Sequence, residues 1–123
     1  MRIYRESENP WRCGHWNGSP IEIGLTTDVL TSVRPGEVYH YHDFHEYYVV
    51  LHGRATLCVE GKDVLLEAGL VVMVQPGERH RVTWIDPDVG AQWIVVKERS
   101  VPGSKIVVPE PGDAPLSDTD EDV

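Results

Sequence analysis

Turn-forming residues interrupt this chain too often for long helices to form. Arg34-Pro35-Gly36, His52-Gly53, Gly61-Lys62, Ala68-Gly69, Gln75-Pro76-Gly77 and Asp86-Pro87-Asp88 separate short runs rich in β-branched and aromatic residues. No long segment places apolar residues at i, i+3, i+4 and i+7 between credible caps, so the pattern is all-β. The runs predict strands at Ile21–Leu25, Val29–Val33, Tyr47–Leu51, Arg54–Glu60, Val64–Glu67, Val71–Val74, Arg81–Ile85 and Ala91–Glu98. Glu60-Gly61-Lys62-Asp63 between two of them reads as a tight hairpin. Eight or so antiparallel strands in this length point to a sandwich, a jelly roll or a small barrel. No Cys…Trp…Cys spacing supports an immunoglobulin sandwich, and no internal repeat stands out.

Size and charge narrow the partners. A chain of 123 residues suits one domain, and no apolar run approaches the roughly 20 residues a membrane helix needs. Arg5, Glu6 and Glu8 break up the N-terminus, so no export signal is read and a cytoplasmic location is expected. The net charge of −9 is mostly local, because residues 110–123 hold six acidic residues and no basic one. The expected organisation is one domain over residues 1–108 and an acidic, disordered tail over 109–123. The body carries no Lys/Arg cluster, which argues against nucleic acid as a partner. Cys13 and Cys58 are too few for a disulfide framework, and Cys58 is expected to be a buried, reduced thiol. Cys13 and His15 form a lone CxH with no second pair to complete a zinc module.

Residues 40–46, HYHDFHE, hold three of the six histidines. A metal site, an acid–base pair, a pH sensor and a polar turn would each fit that composition. On a strand, His40 and His42 point the same way and can share one ion, while His45 points away. Glu46 has the right parity, but a straight strand would carry it about 20 Å from His40 at roughly 3.3 Å per residue. Cooperation therefore requires a bend between 42 and 46, and Asp43 is a good turn residue. His42 and Glu46 are also i and i+4, yet the stretch is β-branched and aromatic with no cap before it. HExxH fails, since Tyr47, Tyr48 and Val49 follow His45-Glu46. Further on, His80 follows the Gln75-Pro76-Gly77 turn, which would place it with little conformational freedom.

These two segments resemble the paired motifs of the cupin superfamily. His40, His42, Glu46 and Gly53 match the first motif (about 36–53) in spacing, with Gly36 at its head after a spacer of three residues where five is usual. Gly69, Gly77 and His80 match the second (about 69–84); Gln75 replaces its first proline and Trp84 stands where asparagine is common. The resemblance implies a small single-domain cupin with a double-stranded β-helix, that is, a jelly roll or conical β-barrel, and usually a homodimer. It also implies one divalent metal per chain held by His40, His42, Glu46 and His80. Four protein ligands on an octahedral ion leave two positions open, favouring iron, manganese or nickel, with zinc or copper as alternatives.

Such a centre suits dioxygenase-type chemistry or Lewis-acid isomerase, epimerase or lyase chemistry on a small polar molecule. The alternative is a cupin that binds a small molecule, such as a carbohydrate, without turnover. Catalytic roles are expected for Glu46 and for Tyr48, which shares its parity. His45, Arg54, Trp84 and Gln92 are candidate substrate-lining residues. The competing readings are an exposed turn residue for His45, a solvated arginine for Arg54 and Arg81, and core or dimer contacts for Trp84 and Trp93. GxSxG and Gly-rich phosphate loops are absent, which excludes serine acyl transfer and nucleotide hydrolysis.

Overall fold

The architecture turns on one long strand that belongs to two sheets. The computed structural model describes residues 1–6, 9–26 and 38–109. Within them run nine strands: β1 (Trp11–Cys13), β2 (Glu22–Thr26), β3 (His40–Tyr41), β4 (Glu46–Val59), β5 (Lys62–Glu67), β6 (Val71–Val74), β7 (His80–Ile85), β8 (Ala91–Lys97) and β9 (Ile106–Val107). All pairings are antiparallel, in the order β1-β2-β8-β4-β7-β3-β9, with β5 and β6 also paired to β4. The first half of β4 lies between β6 and β8, and its second half between β5 and β7. A curled antiparallel sheet results, its inner face closed over a core.

The expected break at His52-Gly53 is absent, because β4 runs continuously through it. Gly53 has φ 74°, a left-handed conformation that suits glycine, and a register irregularity falls between Val50 and His52. A Cβ on Gly53 would lie 2.0 Å from the Gly90 carbonyl oxygen, so the bend also needs the missing side chain. The strand thus turns from one sheet into the other without losing its ladder.

The hairpin expected after β4 is present. Val59 pairs with Lys62, and the two loop residues, Glu60 and Gly61, have φ 50° and 80°. Two positive φ values match the right-handed twist of the flanking strands. The short strands β1 and β9 were not anticipated, β3 agrees with the strand reading of His40 and His42, and the expected strand Val29–Val33, the motif-heading Gly36 and residues 110–123 lie outside the described residues.

Alternation along the strands builds the core. Tyr48, Val50, Ala55, Leu57, Leu66, Val74, Val82, Ile85, Ala91, Trp93 and Val95 form one buried cluster. Cys58 is half-buried, contrary to expectation, because it shares the outward parity of Thr56 and not the inward parity of Ala55 and Leu57. Cys13 is buried, with Sγ 4.0 Å from the Ile21 carbonyl oxygen, while His15 Nδ1 lies 2.8 Å from Ser100 Oγ.

Candidate metal centre

Four polar side chains converge inside this apolar shell. His40, on β3, pairs directly with His80, the first residue of β7. The chain then bends at Asp43-Phe44, as required, and Glu46 opens β4 facing back toward the histidines. One ligating atom from each of His40, His42, Glu46 and His80 lies within 4.8 Å of the others, and all four residues are buried. His80 Nε2 is 2.9 Å from Glu46 Oε1, and His42 Nε2 is 3.5 Å from the same oxygen.

The rings are oriented from behind. Nδ1 of His40 donates to the Val38 carbonyl at 2.7 Å, that of His42 to Ser104 at 2.9 Å, and that of His80 to Glu78 at 2.9 Å. A carbonyl oxygen can only accept, so each Nδ1 carries the proton and each Nε2 is turned toward the centre. The same outer-shell bond fixes the tautomer and raises the basicity of metal-ligating histidines. Two of the carbonyls come from residues two positions earlier, and the third reaches His42 because β9 lies beside β3. Phe44 stacks on His42 with 5.0 Å between centroids. Gly77 N–H donates to the His42 carbonyl at 2.9 Å, tying the turn before His80 to the first histidine pair.

Burial and neighbouring charges favour the ligand forms of His40, His42 and Glu46. Burial holds the His40 imidazole down at about 4, with the nearby charges of His80, Lys105 and His42 acting the same way. Burial also lowers His42, partly offset by Glu46. For Glu46, burial alone would raise the carboxyl, but His80, His42 and Lys97 beside it outweigh burial and hold it below the usual carboxylate range. Neutral imidazoles and an ionised carboxylate are the states that bind metal. His42 Nε2 is buried and has no hydrogen-bond partner among the described residues. A buried polar atom left without a partner is costly, and a cation at the convergence point would satisfy it. The donor set therefore fits a metal ion.

The centre opens into a cavity of about 200 Å³ whose walls include Trp11, Tyr48, Trp93, Val95 and Lys97. Tyr48 is there as its parity with Glu46 requires, its ring meeting His80 edge-on with centroids 6.3 Å apart. Trp93 is 2% exposed and belongs to core and cavity wall together.

The four candidate lining residues are not brought to the cavity. His45 is half-exposed, its backbone N–H and Nδ1 bonded to Glu98 Oε2 at 2.7 and 2.8 Å. Arg54 points outward and donates twice to Asp86 Oδ2, bracing the turn before β8. Trp84 shares His80's parity in sequence, but an irregularity opposite Thr56 and Leu57 inserts Thr83 as an extra residue, turning Trp84 to solvent and Ile85 inward. Gln92 alternates against Trp93 and falls on the other face.

Several cavity residues, Trp11, Lys97 and Lys105 among them, went unanticipated, and Lys97 is the one buried charge of these. Lys97 ends β8 on the face set by Ala91, Trp93 and Val95, and is 7% exposed. A lysine on the apolar parity of AQWIVVK was the available signal.

Sequence and structure comparisons agree with this architecture. A family model described as "Cupin domain" matches residues 29–97, over half of the chain, and the chain belongs to the cupin family. No match was found among curated proteins. The fold is similar to an RmlC-like cupin with a double-stranded β-helix from Methanocaldococcus jannaschii, with TM-score 0.64, 16% identity, and coverage of 80% of this chain and 91% of that one. A protein from Planctomyces limnophilus gives TM-score 0.62 and 21% identity, covering 86% and 96%. A two-residue deletion mutant of oxalate decarboxylase OxdC from Bacillus subtilis gives 0.60 and 14%, covering 84% of this chain and 29% of that longer one. At these identities the likeness is one of fold.

Proposed function

We propose that this chain is a metal-dependent enzyme acting on a small polar molecule, with His40, His42, Glu46 and His80 holding one divalent ion. The observation that carries the reading is the shared orientation of the three imidazoles, each pinned through Nδ1 to a carbonyl. A barrel that needed only packing would have no use for that arrangement. An octahedral ion (iron, manganese or nickel) suits four protein ligands with two positions left for substrate, while tetrahedral zinc would be saturated and copper favours tetragonal sites. When bound, such an ion supplies Lewis-acid polarisation for isomerase, epimerase or lyase chemistry, or a centre for dioxygenase-type oxidation.

The chain's own side chains supply the rest. Glu46 contributes the anionic ligand, and Tyr48 offers a phenol at the cavity wall to hold or pass a proton. Val82, Trp93 and Val95 line the cavity and exclude water. Val71 and Met73 project outward from β6, an apolar strip suited to pairing with a second copy in a homodimer. Among the described residues no helix is long and apolar enough to cross a membrane, and a cytoplasmic location belongs to this reading. A non-catalytic binding cupin is the second reading, favoured by the two tryptophans, Trp11 and Trp93, in the cavity wall.

Elemental analysis of tag-free protein beside a His40→Ala/His80→Ala double variant tests the proposal. Near-stoichiometric metal in the wild type and a loss of at least tenfold in the variant is expected. Absence of metal in the wild type after reconstitution with each ion would overturn it. Turnover of chelating substrates, followed by oxygen uptake and product analysis, separates enzyme from binder.

A further inference from the structure

One buried charge pair, which reaches the cavity wall through Lys97, lies outside the four candidate ligands. Lys97 Nζ donates to Glu22 Oε2 at 3.0 Å, each side chain only 9% exposed. Glu22 is held on its other side by Ser100, whose hydroxyl donates to Oε1 at 2.9 Å. Ser100 Oγ in turn accepts from the His15 backbone N–H at 2.7 Å. Trp11 covers the ammonium, its ring centroid 4.5 Å from Nζ. Gly24 makes room for that ring, since a Cβ there would lie 2.7 Å from Trp11 Cε3.

Register places this lysine beside the metal centre. Lys97 is the cross-strand partner of Glu22 on one side and of Glu46 on the other. Directly opposed side chains on antiparallel strands stand about 5 Å apart at Cβ, so Lys97 borders the same space as Glu46. An ammonium has three N–H donors, of which Glu22 takes one. Joining β2 to β8 does not require the pair, because four other registered residue pairs link those strands. Buried ion pairs are also often no more stabilising than apolar residues of the same size.

We propose that Lys97 recognises an anionic group of the substrate, and that the substrate is a small acid carrying a carboxylate-type oxyanion in addition to its metal-chelating group. This rests on the metal-centre reading above and names the substrate class for it. The charges agree. Glu46 cancels only half of a divalent ion, Lys97 and Glu22 cancel each other, and exposed Lys105 adds a positive charge to the cavity wall. A volume of about 200 Å³ is smaller than drug-sized pockets, which begin near 300 Å³, so the acid must be small. The aromatic walls lower the local dielectric and strengthen any contact between charges.

The test uses cobalt(II)-loaded full-length protein and two probes with the same hydroxyl-carboxylate chelate. Glycolate has only that chelate, and tartronate adds a second carboxylate. Titrations are followed by the cobalt d–d absorption. Wild type is expected to bind tartronate at least tenfold more tightly than glycolate. Lys97→Met should hold glycolate within about twofold and lose most of that preference, while Lys97→Arg keeps it. A preference unchanged in Lys97→Met would overturn the proposal and leave the pair a purely structural one. Should Lys97→Met not fold, the wild type and Glu22→Gln decide: equal affinity for the two acids in the wild type overturns the proposal, and a preference that grows in Glu22→Gln upholds it. Failure of the wild type to bind cobalt leaves only the weak d–d band of aquated cobalt, unchanged by the protein and absent after desalting, which marks the failure of the metal reading instead.

Discussion

Arg79 stands one residue ahead of His80 and is clamped to the tip of the β4–β5 hairpin. Its Nη2 and Nε donate to Glu60 at 2.7 and 3.0 Å, its backbone N–H donates to the same carboxylate at 2.7 Å, and Glu60 N–H returns a bond to the Arg79 carbonyl at 2.8 Å. The clamp fixes the backbone at the point where His80 enters the core. Arg79 holds the Glu60 carboxyl down at about 2, through its side-chain hydrogen bond first and its backbone bond second. A carboxyl depressed below its unfolded value of about 4.5 stabilises the fold above that pH and loses the contribution as pH falls toward 2. Glu60→Gln should therefore flatten the decline of urea midpoint with pH between about 4.5 and 2. Both side chains are more than one-third exposed, so the effect at neutral pH should be only about 0.5–1 kcal/mol. An unchanged acid profile would show that the clamp carries no stability.

Among the elements, β4 matters most, because it carries Glu46 in one sheet and pairs with His80 from the other. Gly53→Ala should destabilise by on the order of 3 kcal/mol, from a left-handed φ and a contact with the Gly90 carbonyl that cannot relax cheaply. Denaturant unfolding checks this, and a loss below about 1 kcal/mol would mean the bend lies elsewhere. The same glycine explains where the sequence misleads. His52-Gly53 looks like a loop, since only the structure reveals that its positive φ redirects a strand. The four convergent residues were legible from parity, the required bend and motif spacing. Their support was not, because the Ser104 carbonyl lies 62 residues from His42 and reaches it only through β9. The outward turn of Trp84 was not legible either, as one inserted residue in β7 reverses every face beyond it.

At the scale of the molecule, an ion at the centre would join His40 and His80 on one sheet to Glu46 on the other. A ligand that binds only the folded form at 100 times its Kd adds about 2.7 kcal/mol. For a domain this size that corresponds to a rise in Tm on the order of 10 °C. Differential scanning calorimetry with and without chelator should show that difference in wild type and little of it in His40→Ala/His80→Ala. The core cluster remains in either case, so the metal-free chain should still unfold cooperatively. The carbonyl bonds behind the three histidines carry a consequence for the order of events in the cell. Because the chain itself aims the rings, the barrel can be finished before any ion arrives. On the proposed reading, loading would then be an exchange of water for waiting ligands, and the metal acquired would depend on what the surroundings supply as much as on the site.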